Sequence, residues 1–295
     1  MTHVRPAHTI GTDRGRSPMP LGVLIGFDGS PAATAAIEVG GQLLPQAHAW
    51  VAQLWTPPFA SEPLRRRLRS TVGSASELVE RTEREGEREA QRIAVTGTTL
   101  ARAAGLDAEP LVKRTWGGEG LVLAQLAEQV SADLLLVGSR GLGGAQALMG
   151  SVSDMAVHYA SRPTLVAPAP MLADEYDALA GGPVVVGWDG SGGARTALSA
   201  AQHLFHGREI VAVSVGQGIT ETPPDGVATE HIDTQAGAKD HFVADTLTGL
   251  AAHRRAAAIV VGSRGQSAIR EVLLGSVARA TLRSAHRPVL VVPGP

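Results

Sequence analysis

The clearest hydrophobic pattern in the chain is a short, unbroken apolar run that ends in glycine. Residues 258–265 read Ala-Ile-Val-Val-Gly-Ser-Arg-Gly, and the β-branched run before the first glycine predicts a buried strand. A spacer leads to Gly275-Ser276-Val277, where we expect a helix to begin and to run to about Ser284. Glycines let the backbone approach a ligand closely, and a helix N-terminus attracts anions through its N–H groups. The pattern therefore predicts a phosphate-binding turn.

The chain carries this pattern twice, together with other matched segments in the same order. The matched segments are 23–30 with 184–191, 133–141 with 258–265, 150–152 with 275–277, and 161–168 with 286–293. Repetition of several blocks in one order indicates a tandem duplication. Each half has the length of one domain, so we expect two domains in the 295 residues.

Apolar runs and amphipathic segments alternate along both halves, which predicts an α/β fold. Strands alternating with helices form βαβ units with right-handed crossovers and a parallel sheet. The predicted strands are 21–27, 50–55, 108–114, 134–137 and 164–167, then 184–187, 210–215, 227–233, 259–261 and 289–292. The second half has a Pro/Gly loop at 216–226 where the first has the charged, helical block 61–104. We therefore expect the second domain to lack one crossover helix.

Domain boundaries follow from the glycine and proline content between these segments. We expect a disordered leader over residues 1–20, a first domain over 21–170, a linker over 171–182 and a shortened second domain over 183–295. The leader contains scattered arginine, proline and glycine but no apolar region of the kind that a signal peptide needs.

Composition narrows the classes of function. The formal net charge of −2 gives no electrostatic basis for binding nucleic acid or an anionic membrane. No apolar run approaches the ~20 residues that span a bilayer. The chain has no cysteine, which excludes disulfides and fits a reducing cytoplasm. Lys113 and Lys239 are the only lysines, so a lysine-based phosphate loop is not available.

Two aspartates stand at the ends of the first predicted strands of the two halves. Asp28 and Asp189 lie at the carboxyl end of a strand, where open α/β sheets bind ligands. Each either accepts a hydrogen bond from a ligand or shapes the turn into the next helix. Strands one and four are neighbours in the common strand orders, so we expect the aspartate and the glycine turn of each half to lie close together.

Serines and arginines accompany the glycines. Ser151 and Ser276 either donate hydroxyl groups to a phosphate or cap their helices, and the two roles are compatible. Arg140 and Arg264 lie inside the glycine turns, where a guanidinium either clamps phosphate oxygens or is a solvated loop side chain. The ten histidines show no metal-ligand spacing, so no metal site is predicted. The patterns of P-loop NTPases, dinucleotide-binding folds and α/β-hydrolases are absent.

In combination, these motifs resemble the universal stress protein family, in the tandem form common in actinobacteria. The family's ATP signature is Gly-x-x-Gly, nine residues, and then Gly-[Ser/Thr]. The second half meets it in full at Gly262, Gly265, Gly275 and Ser276. The first half meets it with a spacer of eight residues at Gly138, Gly141, Gly150 and Ser151. The resemblance covers roughly residues 20–168 and 183–293.

The resemblance implies two Rossmann-like domains, each an open five-stranded parallel sheet of order 3-2-1-4-5 flanked by helices. It also implies ATP, with or without Mg²⁺, at the point where the strand order reverses. Asp28 and Asp189 would hold ribose or adenine, and Leu54 and Val215 would line the adenine pocket. The full set of implied nucleotide-binding positions is Gly26, Asp28, Leu54, Gly138, Arg140, Gly141, Gly150, Ser151 and Val152 in the first half, and Gly187, Asp189, Val215, Gly262, Arg264, Gly265, Gly275, Ser276 and Val277 in the second.

The same resemblance implies a nucleotide-responsive stress sensor or regulator that forms a homodimer and acts on an unknown regulatory protein partner. A slow ATPase or nucleotidyl hydrolase, and a nucleotide-free scaffold, are the alternatives. No general base or metal triad stands out near the glycine turns, which favours binding over turnover. Neither nucleic acid nor a membrane is an expected partner.

Two further expectations concern the last strands and the two sites. Strand five is a sheet edge in this topology, so 164–167 and 289–292 are expected to be covered. We predict self-association through one of these strands. Pairing between the two halves is the other arrangement, and it would leave other surfaces for a homodimer. The shorter spacer predicts a weaker first site, because Gly143 and Gly144 would have to be ordered on binding at roughly 1–2 kcal/mol per residue.

Overall fold

The computed structural model describes residues 20–56, 62–69, 73–139, 151–216, 221–233, 240–264 and 274–294. The predicted leader, residues 1–20, lies outside this set except for its last residue. Within the described part of the chain, no helix is long and apolar enough to cross a membrane.

The described residues form alternating strands and helices in both halves. The first half contains β1 (Gly22–Gly26), α1 (Pro31–Leu43), β2 (His48–Trp55), α2 (Glu62–Arg69), α3 (Ala75–Ala103), β3 (Asp107–Arg114), α4 (Glu119–Gln129), β4 (Leu134–Gly138), α5 (Ser151–Tyr159) and β5 (Thr164–Ala167). A connecting helix, α6 (Ala173–Gly181), follows. The second half contains β6 (Val184–Gly187), α7 (Gly192–Leu204), β7 (Ile210–Val215), β8 (Ala228–Ile232), α8 (Asp240–His253), β9 (Ala258–Gly262), α9 (Ser276–Ser284) and β10 (Val289–Val292).

The strands form one sheet of order β3-β2-β1-β4-β5-β10-β9-β6-β7-β8. Within each half the pairs are parallel, and each half has the order 3-2-1-4-5, so this prediction is confirmed. The two halves join through an antiparallel pair, β5 with β10, in which Leu290 lies opposite Leu165. The fold is therefore α/β with a mixed ten-stranded sheet built from two similar halves.

The β5–β10 pair decides between the two expectations for the last strands. Each strand would be an unpaired edge in an isolated half, and pairing satisfies its backbone groups. The pairing joins the halves of one chain, which leaves neither strand as an edge for a second copy. A homodimer stays a prediction, and it would have to use another surface.

Helices cover both faces of the sheet, because neighbouring strand residues point to opposite sides. Ile25, Leu136 and Leu290 pack on the face that carries α1 and α7, and all three are fully buried. Leu24 and Leu135 pack on the opposite face, which carries α4, α5, α8 and α9. Each cluster contains residues of both halves, so the apolar core continues across the seam.

The predicted linker 171–182 contains helix α6, which packs against α1. Leu179 is fully buried, and the hydroxyl of Tyr176 donates a hydrogen bond to Glu38 at 3.0 Å. Arg208, from the second half, donates to the carbonyl oxygens of Leu179 at 2.7 Å and Gln42 at 3.1 Å. Burial lowers the pKa of Arg208, but carbonyl acceptors compensate for the lost hydration. The connection is thus anchored to both halves.

The predicted loss of a crossover helix in the second half is confirmed for the described residues, which include no helix between β7 and β8. In the first half α3 lies so close that a Cβ atom on Gly97 would be 2.5 Å from the ring of Phe27. Trp188 takes the place of Phe27 in the second half, and its indole Nε1 donates to the carbonyl oxygen of Glu221 at 2.8 Å. A larger aromatic ring and a loop thus cover the surface that a helix covers in the first half.

Candidate functional site

Each half brings two strand ends together at one point of the sheet. β1 lies between β2 and β4, and β6 lies between β7 and β9. The crossovers that leave these central strands therefore diverge, which opens a crevice at the carboxyl ends of the strands. In the second half the turns that meet at this crevice follow β6 and β9.

The two aspartates have the same local role in both halves. Asp189 Oδ1 accepts a hydrogen bond from the N–H of Ser191 at 2.9 Å, and Ser191 Oγ accepts one from the N–H of Ala194 at 3.1 Å. The first half repeats both bonds at the same lengths from Asp28 onward. Gly190 makes this turn possible, because its φ of +74° disfavours other residues. The turn-shaping role is present in both halves, and contact with a ligand stays a prediction.

Hydrogen bonds tie the end of β9 to the start of α9. The N–H of Ser263 donates to the carbonyl oxygen of Val292 at 2.7 Å, and the N–H of Gly275 donates to the carbonyl oxygen of Ser263 at 2.7 Å. Ser263 Oγ accepts a third bond, from the N–H of Gly294 at 3.0 Å. Gly275 is the N-cap residue of α9, so these bonds hold the helix N-terminus beside the turn after β9.

The start of α9 contradicts one of the two roles predicted for Ser276, that of a helix cap. Helix α9 begins at Ser276, whose side chain is exposed, and no side chain caps the helix. The capping role for Ser276 is therefore wrong, because Gly275 holds the cap position. The first N–H groups of a helix have no acceptor within it and carry partial positive charge. Val277 is half-buried against the core and contributes its backbone to this N-terminus.

The turn after β9 lies directly against the first turn of α7. A Cβ atom on Gly193 would be 2.1 Å from the carbonyl oxygen of Arg264, and one on Gly262 would be 2.8 Å from the carbonyl oxygen of Gly193. Both positions therefore require glycine. This contact places the turn after β9 directly against the start of α7, which follows the Asp189 turn, as the switch-point geometry predicts. The first half has Ala32 at the position of Gly193.

We expect Gly193→Ala to destabilise the second half, because the new methyl group would displace the Arg264 carbonyl. Overpacking of this kind costs about 1–3 kcal/mol. Chemical denaturation with urea measures the change in the free energy of unfolding. Gly249→Ala is the matched control, since a Cβ atom there meets nothing within 4 Å and helix α8 should gain about 0.5–1 kcal/mol. Equal stability of the Gly193→Ala variant and the unmodified chain would show that the contact is not tight in solution.

Both sites are described only in part, since Arg140, Gly141 and Gly150 of the first half and Gly265 of the second lie outside the described residues. Gly138 ends β4, and its carbonyl oxygen accepts a hydrogen bond from Ser153 Oγ at 2.6 Å. Ser151 is the first residue of α5 and is exposed, and Val152 is half-buried against the core. The Ser153 hydroxyl thus ties β4 to α5.

The remaining predicted positions lie at strand ends and contact the core. A Cβ atom on Gly26 would be 2.9 Å from the side chain of Leu123, and one on Gly187 would be 3.3 Å from that of Leu247. Close helix packing on α4 and α8 therefore explains these two glycines without a ligand. Leu54 and Val215 stand at the ends of the second strands of the two halves and are partly buried against the same face.

One cluster at the carboxyl ends of β2 and β3 has no motif in the sequence. The guanidinium carbon of Arg114 lies 4.8 Å from the ring centroid of Trp116 and 5.8 Å from that of Trp55. Trp116 is 73% exposed, which is unusual for so large an apolar surface. The only sequence signal is that Trp55 ends one predicted strand and Trp116 lies two positions beyond the end of the next.

Comparison with known proteins matches parts of both halves to one protein family. The family model of the universal stress protein family matches residues 22–168 and 227–293. A universal stress protein of Mycolicibacterium smegmatis is 27% identical over 308 aligned positions, which cover 94% of this chain and 98% of that protein.

A solved structure shares the fold. The crystal structure of a universal stress protein from Archaeoglobus fulgidus has a TM-score of 0.63 at 18% identity and covers 92% of this chain and 96% of that one. A universal stress protein family protein from Arabidopsis thaliana, solved with AMP bound, is 19% identical and covers 53% of this chain and 95% of that one. Its TM-score is 0.35.

Proposed function

The chain belongs to the universal stress protein family, and we propose that it is a nucleotide-responsive regulator that binds ATP in its second half. The observation that carries the proposal is the contact between the turn after β9 and the first turn of α7. It sets a glycine turn, the N-terminus of α9 and the Asp189 carboxylate around one crevice.

These groups match the parts of an adenine nucleotide. Backbone N–H groups at a glycine turn and a helix N-terminus suit phosphates, which need donors and positive charge. A carboxylate suits ribose hydroxyls or the adenine amino group, because it only accepts hydrogen bonds. The apolar side chain of Val215, at the end of β7, suits a base. Gly262, Arg264, Gly265, Gly275, Ser276 and Val277 would carry the phosphates, with Asp189 at the ribose or base.

The proposal favours the second half over the first for two reasons. The second half has the complete signature, whereas the first has eight residues in place of nine between its second and third glycines. In addition, Gly193 lets the turn after β9 approach α7, and the first half has Ala32 there. In the first half, a carbonyl group placed as that of Arg264 is in the second would overlap the Ala32 methyl group. We therefore propose that the first site, at Asp28 and Gly138, is the weaker one.

The proposal also divides the chain into domains 21–170 and 183–295, connected by 171–182. A cytoplasmic location, based on the lack of cysteine, and a regulatory protein partner stay predictions. So does Mg²⁺, which would accompany the phosphates of ATP without a dedicated protein site.

The proposed binding is tested by thermal unfolding of the full chain with and without ATP. A ligand at 100 times its Kd stabilises the folded state by about 2.7 kcal/mol. For a chain of this size such a change should raise Tm by several degrees. NAD at the same concentration is the control. If ATP left Tm unchanged while NAD or a flavin raised it, the chain would bind a different ligand.

A further inference from the structure

A cavity lies between the two halves at one end of the β5–β10 pair. Because these strands are antiparallel, the start of β5 lies beside the end of β10, with Thr164 opposite Val291. The cavity has a volume of about 210 Å³. Its lining includes His158, Arg162 and Thr164 from the first half, and Ser263, Arg264 and Gly294 from the second.

Two guanidinium groups line this cavity without a partner among the described residues. Nε of Arg264 is buried and forms no hydrogen bond there. Arg162, contributed by the first half, is half-buried, and its guanidinium forms no hydrogen bond or ion pair with a described residue either. A buried donor without an acceptor is costly, and the cost is removed when a ligand supplies oxygens.

Two acidic side chains outside the cavity interact with residues of its lining. Ser161 Oγ donates a hydrogen bond to Glu128. Asp154 lies 3.7 Å from Nδ1 of His158, one turn along α5. No carboxylate of a described residue lines the cavity. Two arginines without a counter-charge among the described residues of the lining favour an anion, and their planar guanidinium groups suit the oxygens of a phosphate.

Arg264 connects this cavity to the nucleotide site. Its carbonyl oxygen lies against Gly193 in the crevice, whereas its side chain extends to Gly294, where a Cβ atom would be 3.9 Å from Arg264 Cδ. We propose that the cavity binds the terminal phosphate of the nucleotide held by the second half, with Arg162 of the first half as the second cation. This inference rests on the proposed function, and it makes the seam between the halves part of the site. It predicts that ATP binds more tightly than AMP because only ATP reaches Arg162.

A second cavity, at the other end of the same strand pair, shows why the two ends are not equivalent. It has a volume of about 400 Å³ and is lined by Ser139, Arg283, Arg287 and Glu175, among others. Arg287 donates a hydrogen bond to the carbonyl oxygen of Ala256 at 2.8 Å. Burial lowers the pKa of Arg287, and the negative charge of Glu175 offsets part of that shift. A carboxylate in the lining repels a phosphate. Arg283 is exposed there and provides a matched control for Arg162.

The experiment compares the full chain with its Arg162→Gln, Arg162→Lys and Arg283→Gln variants in calorimetric titrations with ATP and AMP. Arg162→Gln should weaken ATP binding by about tenfold or more, the effect of losing a charged hydrogen-bond donor, and leave AMP binding within about twofold. Arg162→Lys should retain part of the preference for ATP because it keeps the charge. Arg283→Gln should change neither affinity. A titration with pyrophosphate, followed by calorimetry, tests the cavity without a nucleoside.

The outcomes separate this inference from the proposed function. The inference is overturned, and the proposed function stands, if the unmodified chain binds ATP and one of two results follows. Either Arg162→Gln weakens the binding of ATP and of AMP equally, or it weakens the binding of neither nucleotide. If the unmodified chain binds no adenine nucleotide, the proposed function fails. Pyrophosphate binding that depends on Arg162 would then support the cavity as a site for free phosphates, and its absence would overturn the inference as well.

Discussion

Replacing Ser276 with glutamate is expected to abolish ATP binding in the second half while the fold stays at least as stable. Ser276 is the exposed first residue of α9. A carboxylate at a helix N-terminus interacts favourably with the helix dipole, by about 0.3–1 kcal/mol. The same carboxylate would compete with phosphates for the N–H groups of the helix and repel them. Two unit charges about 4 Å apart repel by ~1 kcal/mol in water and ~4 kcal/mol near a protein surface.

ATP carries several negative charges, so we expect the affinity of the Ser276→Glu variant to fall at least ~100-fold. Calorimetry measures the affinity, and urea denaturation shows whether the fold is intact. Ser276→Gln is the matched control, since it has a similar shape without the charge and should lose about tenfold or less. An unchanged affinity in Ser276→Glu would show that the phosphates do not bind at α9.

The equivalent change in the first half, Ser151→Glu, tests the ranking of the two sites. Ser151 begins α5 as Ser276 begins α9. If the second half holds the tighter site, Ser151→Glu removes only weak binding and leaves the high-affinity phase of the titration unchanged. Loss of the high-affinity phase in Ser151→Glu would reverse the ranking.

Placing an aspartate at Leu290 is expected to unfold both halves together. Leu290 lies opposite Leu165 in the β5–β10 pair, and both side chains are fully buried in a cluster that contains residues of both halves. A buried charge without a partner costs several kcal/mol, in the range of exceptional single substitutions above 4–5 kcal/mol. The whole stability of a typical protein is only about 5–15 kcal/mol.

Urea denaturation followed by circular dichroism tests this expectation. For Leu290→Asp we expect a large loss of the free energy of unfolding in one transition. Leu290→Met is the control, because it conserves volume and should cost less than about 1.5 kcal/mol. Two separate transitions, with only the second-half transition shifted, would mean that the halves fold as independent units despite the shared sheet.

Most of the fold follows from the sequence because its signals are local and occur twice. The unbroken apolar runs around Val260 and Leu135 predict buried strands, and the repeat of the Asp-Gly-Ser turn fixes equivalent starts for α1 and α7. The shortened connection between β7 and β8 is visible from chain length alone. Helix α6 lies where the sequence predicts only a linker, because its few apolar anchors, such as Leu179, become buried only when it meets α1 and Arg208.

Only those residues of the candidate site that belong to a sequence motif could be predicted. Asp189, Gly262 and Gly275 are recognisable by spacing, whereas the need for Gly193 depends on a contact across 71 positions of sequence with Arg264, which only the structure shows. Arg162 is part of a repeated Arg-Pro pair, which gives no chemistry by itself. Its role in the cavity depends on the antiparallel pairing of β5 with β10, a choice between two arrangements that the strand pattern left open.

A crystal structure of the full chain grown with ATP tests the central claim most directly. Density for the nucleotide is expected in the second half, with the ribose or adenine near Asp189 and the phosphates between the turn after β9 and the N-terminus of α9. A nucleotide bound only in the first half, or away from the carboxyl ends of β6 and β9, would contradict the claim.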